Sequence, residues 1–155
     1  ERSRTVALRD FYKGYKQLDK APGEIVEAIS FTPPAEGTFN FEKVSKRTYL
    51  DIASVNSACQ LQLDGDGRIA LIHLSAGGVG PTPKYLSNTS AFLNGKTPDA
   101  ATIEEAMRIA NEEIAPISDA RGTAEYKRLL LRQLLAGHLQ CFNLAPDYLH
   151  NLIPV

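Results

Sequence analysis

The sequence predicts an α+β fold, with a small antiparallel sheet of three to four strands packed on a layer of three helices. Three observations carry this prediction. Residues 53–63 place small and apolar side chains at every second position, which is the period of a strand. A glycine-rich turn at 64–67 leads into a second apolar run at 69–76, and beyond Pro83 the apolar spacing changes to three and four residues, which is typical of helices.

The N-terminal part is predicted to connect rather than to form a core. The first twenty residues mix charged and apolar side chains without a helical or strand period. A turn signal at 21–23 precedes a short apolar run at 25–31, which fits a strand. Pro33 and Pro34 then predict the boundary between an appendage and the main domain.

The first strand of the main domain is expected to begin at Thr38. Alternate residues point the same way in a strand, so Phe39, Phe41 and Lys43 should share one face. The turn at 64–67 reads Asp-Gly-Asp-Gly, and we interpret it as a hairpin turn because glycine tolerates positive φ. A calcium loop is the weaker interpretation, since the third carboxylate and the glutamate at the twelfth loop position are missing.

The glycine-rich stretch 76–81 closes the second hairpin strand. Such a strand end lets backbone amides approach a phosphate or the edge of a flavin, but a turn without ligand is the commoner case. The spacings of the two common nucleotide-binding glycine motifs are absent from it.

Three helices are predicted after Pro83. The first is expected to have about three turns and to stop at Gly95, and the second is expected to be capped by Asp99. The glutamates of the second helix are interpreted as a solvated face. Pro116 ends it, and Thr123 begins a third helix. Its predicted buried stripe comprises Tyr126, Leu130, Leu134, Gly137 and Cys141.

Composition narrows the class of protein. The 155 residues are 43% hydrophobic and 23% charged, as in an ordinary globular domain, and the net charge of −1 gives no field that attracts nucleic acid. No apolar run is long enough to span a bilayer and no signal peptide opens the chain, so we expect an intracellular protein, or an internal fragment of one, in the cytoplasm. Cys59 and Cys141 are predicted to be buried, and His73, His138 and His150 lack metal-ligand spacing.

Several strings, in the expected order, resemble the flavoprotein segment of molybdenum hydroxylases such as xanthine dehydrogenases and carbon monoxide dehydrogenases. Residues 4–15 and 22–26 are similar to the end of that family's FAD-binding domain. Residues 41–53, 76–83 and 117–128 are similar to the C-terminal domain that follows it. The resemblance implies three regions: 1–34 as the end of an upstream FAD-binding domain, 35–145 as the C-terminal domain, and 146–155 as a tail.

The family resemblance implies a part in electron transfer. Such enzymes oxidise a substrate at a molybdenum cofactor and pass electrons through [2Fe-2S] clusters to FAD and on to NAD. The implied partners are the upstream FAD-binding domain and the iron–sulfur and molybdenum subunits or domains, and pairing of two copies as a homodimer stays open. The chain alone is expected to be inactive, because the opening FAD motifs would lie upstream.

The resemblance also implies the site residues. Lys43 matches the family's flavin-contact lysine, and Lys46, Arg47 and Asp51 fall in the loop that approaches the isoalloxazine ring. A cation there stabilises reduced flavin, which carries negative charge, and Asp51 would orient the basic pair. Without the resemblance, these residues are ordinary exposed charges and a turn residue.

Two other readings stay open. A docking or assembly module would use the same sheet and helices without touching a cofactor. A flavoprotein of a related carbon monoxide, nicotinate or aromatic thioester oxidoreductase would differ only in subunits outside this chain. Ser118, Asp119, Arg121 and Gly122 form another family string, which we interpret as local capping near a helix start; a link from Asp119 and Arg121 to the FAD domain is the alternative.

Overall fold

A computed structural model describes residues 2–34 and 36–144, and it confirms the α+β class. The predicted tail 146–155, with His150, lies outside the described residues. The chain folds into a small N-terminal part, then a four-stranded antiparallel sheet, then three helices. No helix within the described ranges is both long and apolar enough to cross a membrane.

The N-terminal part buries no side chain among residues 2–34. A one-turn helix, α1 (Leu8–Phe11), leads into two short paired strands, β1 (Tyr12–Gly14) and β2 (Gln17–Leu18). The Arg4 guanidinium holds this part together through ion pairs with Asp19 and Glu24 at 3.1 and 2.9 Å. The segment therefore connects without contributing to the core, as the sequence predicts.

The prediction of a strand at residues 25–31 is wrong. These residues belong to no helix or strand, and Ile25 and Phe31 are 85% and 82% exposed. A strand needs a neighbour to pair its backbone N–H and C=O groups, and none of the described strands lies beside this segment. The apolar residues of this segment therefore do not form a strand with any described part of the chain.

The main sheet has the order β3-β4-β5-β6, and every neighbouring pair is antiparallel. The Asp64 carboxylate accepts the N–H groups of Asp66 and Arg68 at 2.9 Å, and Gly67 has φ +76°, so the turn interpretation of 64–67 is confirmed. The strands are β3 (Thr38–Val44), β4 (Val55–Leu63), β5 (Ile69–Gly77) and β6 (Lys84–Tyr85).

The sheet has one buried face and one open face. Burial alternates along the strands, so that Val55, Ser57 and Cys59 are buried while their neighbours along β4 are not. The predicted alternation is thereby confirmed. We call the solvent-facing side the open face; it carries Phe39, Phe41, Lys43, Asn56, Ala58, Gln60, Gln62, His73, Ser75 and Tyr85.

Three helices cover the buried face: α2 (Ser87–Leu93), α3 (Ala100–Glu113) and α4 (Ala124–Cys141). The predicted caps are confirmed, because Asp99 accepts the N–H of Thr102 at 2.8 Å and Thr123 accepts that of Tyr126 at 3.1 Å. The first helix is shorter than expected, with seven residues and about two turns.

The buried stripe of α4 differs from the predicted one. Tyr126 and Cys141 are exposed, whereas Lys127, Leu131 and Leu135 are buried beside the predicted Leu130 and Leu134. Consecutive leucines allow two overlapping stripes, and packing against the sheet selects the one shifted by one residue. The thiol of Cys59 is buried as expected, and burial raises its pKa to about 12.

Glu113 is not part of a solvated face. Its carboxylate accepts hydrogen bonds from the backbone N–H groups of Asn88 and Thr89 and from the Thr89 hydroxyl, at 2.9, 2.8 and 2.6 Å. Partial burial acts to raise the pKa of Glu113, but these hydrogen bonds outweigh it and the net shift is downward. The end of α3 therefore caps the start of α2.

Candidate functional site

Three loops meet at one end of the main sheet, which we call the loop end. They are 45–54 between β3 and β4, 78–83 between β5 and β6, and 115–122 between α3 and α4. The Ser54 hydroxyl donates to the carbonyl of Arg121 at 3.1 Å, and the Ala115 N–H donates to the carbonyl of Val79 at 3.0 Å. These bonds join all three loops into one surface.

The glycine-rich loop is pressed against the first loop. Gly78 has φ +80°, and a Cβ at this position would lie 2.3 Å from the carbonyl oxygen of Ser54. Glycine is required here for both its backbone conformation and its size. The close approach explains the glycine structurally, so this position gives no evidence for a bound phosphate.

Asp51 organises the loop 45–54. Its carboxylate accepts the backbone N–H of Arg47 at 2.9 Å and that of Ile52 at 3.0 Å, and it pairs with the Arg47 guanidinium at 3.4 Å. Desolvation acts to raise the pKa of Asp51, but the Arg47 N–H, the guanidinium and the Ile52 N–H outweigh it, and the pKa is lowered. The carboxylate therefore stays ionised and holds Arg47 in place.

Lys43 projects from the open face of β3 toward the same loop. Its ammonium donates to the backbone carbonyl of Asp51 at 2.8 Å and is exposed to solvent. The sequence-predicted residues Lys43, Arg47 and Asp51 are thus brought together. Lys46 is not, because its ammonium reaches across to the carbonyl of Ala120 at 2.7 Å.

Exposed apolar side chains at the tip of this loop were missed by the sequence reasoning. Tyr49 and Leu50 are 81% and 96% exposed, and Leu50 has φ +50°, which is rare for a leucine. A strained backbone conformation at a side chain that lies almost wholly in water points to a functional demand on the loop. Two adjacent apolar residues inside a charged turn were the available sequence signal.

The loop 115–122 is built around a buried lysine. The Lys127 ammonium, with only 4% of its side chain exposed, pairs with Asp119 at 2.8 Å and donates to the Ile117 carbonyl at 2.8 Å. This ammonium, followed by the Arg121 N–H, lowers the pKa of Asp119. Ser118 accepts the N–H of Ala124 at 3.0 Å, so local capping, the favoured interpretation of this string, is confirmed for Ser118.

A second concave surface lies between α3 and α4, away from the loop end. This groove of about 380 Å³ has several arginines on its rim. Arg108 is paired with Glu105 and Glu112, and Arg128 donates to Asn111 at 2.6 and 2.9 Å. Arg132, the third arginine of the groove, is exposed. The described residues that line the groove include no aromatic side chain, whereas the loop end exposes Tyr49 beside its cations, so the loop end is the better candidate for a planar ligand.

The groups at the loop end suit a flat, anionic ring. Lys43 and Arg47 supply positive charge at the surface, and Tyr49 supplies an exposed aromatic ring that can stack. No cluster of three His, Cys, Asp or Glu side chains that could hold a metal ion occurs within residues 2–34 and 36–144. The donor set therefore fits a flavin rather than a metal.

The domain is an open four-stranded sheet backed by three helices, with charged loops at one end. Comparison with known proteins identifies its family. The chain belongs to the family described as the CO dehydrogenase flavoprotein C-terminal domain, whose model matches residues 41–141.

Curated relatives agree with this family. The chain is 33% identical over 128 residues to the carbon monoxide dehydrogenase medium chain of Afipia carboxidovorans, covering 82% of this chain and 44% of that one. It is also 33% identical over 134 residues to the xanthine dehydrogenase of Blastobotrys adeninivorans, covering 81% of this chain and 10% of that enzyme. The FAD-binding subunit PaoB of an Escherichia coli aldehyde oxidoreductase is 32% identical over 98 residues, covering 60% of this chain and 29% of that subunit.

A solved structure shares the fold. The Cu,Mo-CO dehydrogenase in its cyanide-inactivated form matches with a TM-score of 0.77 and 32% identity, over 85% of this chain and 46% of that one. The chain therefore spans less than half the length of the carbon monoxide dehydrogenase chains it matches and about a tenth of xanthine dehydrogenase.

Proposed function

We propose that this chain is the C-terminal part of the FAD-containing electron-transfer subunit of a xanthine dehydrogenase-like molybdenum hydroxylase. In this role it closes one side of the flavin pocket while electrons pass from [2Fe-2S] clusters through FAD to NAD. The observation that carries the proposal is the convergence of Lys43, Arg47 and Asp51 at the exposed loop end. Membership of the flavoprotein domain family supports it.

The chemistry of the chain in this role is electrostatic. A bound flavin supplies the two-electron chemistry, and its reduced form carries negative charge. Lys43 and Arg47 place positive charge where that negative charge develops, which favours reduction. Asp51 fixes the Arg47 backbone and guanidinium, so the charges are in position before any electron arrives. Tyr49 and Leu50 exclude water from the ring.

The proposal assigns the rest of the chain to an assembly. Residues 1–34 belong to the end of the upstream FAD-binding domain, residues 35–145 form the covering domain, and residues 146–155 are a tail. Exposed apolar side chains at Ile25, Ile29 and Phe31 support this division, because no described strand pairs with their segment. The iron–sulfur and molybdenum subunits or domains are the further partners, and the assembly works in the cytoplasm.

The competing function is a docking module without a flavin role. One observation favours it: Phe39 and Phe41 on the open face are 65% and 53% exposed, as expected of a surface that contacts another protein. The same surface serves both functions if the partner is the upstream domain, so a test must separate cofactor contact from assembly.

The test is Lys43→Ala in the complete flavoprotein and its parent complex. Loss of a charge-assisted contact at an exposed position is expected to weaken FAD binding about 5- to 20-fold, or to slow NAD reduction. Turnover at the molybdenum site, measured with an artificial acceptor, should stay unchanged. The charge-matched control is Lys96→Ala, since Lys96 lies at the opposite end of the sheet next to Ile69.

Altered assembly with an unchanged flavin spectrum and unchanged FAD affinity would instead support docking. A second measurement uses the chain by itself. If the pocket is built mainly by upstream sequence, the purified chain retains no stoichiometric FAD, and a stoichiometric yellow cofactor would contradict the proposal.

A further inference from the structure

Asn56 stands beside Lys43 at the last row of the open face before the loop end. It lies on the central strand β4, where its cross-strand neighbours are Lys43 on β3 and Gly77 on β5. Directly opposite residues have Cβ atoms about 4.5–5.5 Å apart, so the amide and the ammonium occupy adjacent positions on one surface.

The Asn56 side chain lies over Gly77. A Cβ on Gly77 would come within 2.8 Å of Asn56 Oδ1 and 2.9 Å of Nδ2, so the absence of a side chain at 77 makes room for the amide. The backbone of Gly77 does not have a positive φ, which means that space, not conformation, explains the glycine.

The Asn56 side chain is half-buried, and its amide does not belong to the buried side-chain groups that lack a hydrogen-bond partner. A carboxamide offers two donors and an acceptor. The Asn56 amide therefore presents a donor–acceptor pair, placed between Lys43 and Gly77, on the solvent side of the sheet.

We propose that the Asn56 amide binds the pyrimidine edge of the isoalloxazine ring, where an N–H donor adjoins carbonyl acceptors. This inference rests on the proposed flavin role and adds a flavin-positioning residue to it. An amide pairs with such an edge through two hydrogen bonds, as asparagine does with the edge of adenine. Lys43 then supplies the charge, and Asn56 fixes the orientation of the ring.

The experiment compares Asn56→Ala, Gly77→Ala and the double variant in the complete flavoprotein. Asn56→Ala removes the amide, while Gly77→Ala leaves it present but displaces it, because the clashing atoms are the end of a flexible side chain. Each single variant is expected to weaken FAD binding about 5- to 150-fold, the range of two lost hydrogen bonds. The double variant should be no weaker than the stronger single, since both remove the same contact.

The matched control is Gln60→Ala, an amide on the same strand and face, four residues from Asn56 and directly opposite His73 in the register of the sheet. FAD affinity is read by flavin fluorescence, and the infrared carbonyl bands of the bound flavin should shift in the Asn56 and Gly77 variants but not in the control. A lost amide contact changes these bands, whereas a merely structural role does not.

The outcomes separate this inference from the proposed function. If Lys43→Ala weakens FAD binding while Asn56→Ala leaves the affinity and the carbonyl bands unchanged, the Asn56 inference is overturned and the flavin role stands. Additive losses in the double variant also overturn it. If neither Lys43→Ala nor Asn56→Ala changes FAD affinity, both proposals fall.

Discussion

His138 on α4 makes the stability of this fold sensitive to pH. The imidazole is 1% exposed and accepts a hydrogen bond at Nδ1 from the Asn40 amide nitrogen at 3.0 Å. Asn40 also donates to Glu42 at 3.0 Å, which fixes the amide so that its nitrogen faces the ring. The ring proton then resides on Nε2, which has no partner among the described residues. Protonating Nδ1 would set two donors against each other in a buried space.

The direction and size of the effect follow from this geometry. Burial lowers the pKa of His138, and the Glu42 carboxylate and the backbone of Ser57, which both favour the protonated ring, offset this only in part. The unfolded chain, with an ordinary histidine pKa of about 6.5, therefore binds the proton more readily than the folded chain. The contribution of neutral His138 to the free energy of unfolding is therefore fully present well above pH 6.5, and it decreases as the pH falls below that value. Between pH 7.5 and 5.5 the loss is at most about 1.4 kcal/mol for one proton.

The assay is urea unfolding followed by far-UV circular dichroism at these two pH values, with His138→Gln as the control that cannot titrate. The carboxyl groups whose pKa is lowered, among them Asp51 and Glu113, remain ionised through this window. The native chain should lose up to about 1.4 kcal/mol more than the variant does. Equal pH dependence in both proteins, or a native chain that gains stability at pH 5.5, would refute the reasoning.

Two further predictions concern the glycine loop and the shared cap. Gly78→Ala should destabilise the fold by more than about 2 kcal/mol, because it combines the strain of a left-handed backbone with a clash against the Ser54 carbonyl. Gly67→Ala should destabilise it by only about 1–2 kcal/mol, because Gly67 has φ +76° but open space around it. The midpoints of urea unfolding compare the two variants, and equal losses of stability would exclude the clash. Glu113→Ala should lower the free energy of unfolding by about 1 kcal/mol, because it removes the cap of α2. The rate of amide hydrogen exchange should rise first at Asn88 and Thr89. Unchanged protection of these two amides would contradict the capping role.

The fold was predictable where local rules suffice. Alternation predicted β4 because its residues from Val55 to Leu61 are buried at every second position, and the turn at 64–67 predicted β5 as its hairpin partner. Asp99 and Thr123 were identifiable as caps because a cap acts within three residues of itself. Glu113 was not, since the amides it accepts lie 24 and 25 residues earlier in the chain.

The candidate site was likewise predictable in its local features but not in its long-range contacts. The parity of β3 places Lys43 on the outward face beside Phe41, and the spacing of Arg47 and Asp51 allows a pair within one turn. The hydrogen bond of Lys46 could not be predicted from the sequence, because its acceptor, the carbonyl of Ala120, lies 74 residues further along the chain. The position of the Asn56 amide could not be predicted either, since it depends on the missing side chain of Gly77 on the neighbouring strand.

A strained backbone conformation and exposed apolar side chains occur together in the loop 45–54, and that coincidence bears on function. The buried face of the sheet and the helix layer share one hydrophobic core. Residues 25–34 and 36–52, by contrast, keep a series of large apolar side chains in water, and Leu50 among them has the left-handed backbone conformation that is unfavourable for a leucine. These exposed side chains do not stabilise the isolated domain, and we interpret them as a surface that contacts another protein. The cations lie in the same stretch as these side chains, so the partner proposed above, a domain that carries a flavin, would account for both. The exposed series comprises Ile25, Val26, Ile29, Phe31, Phe39, Phe41, Tyr49, Leu50 and Ile52.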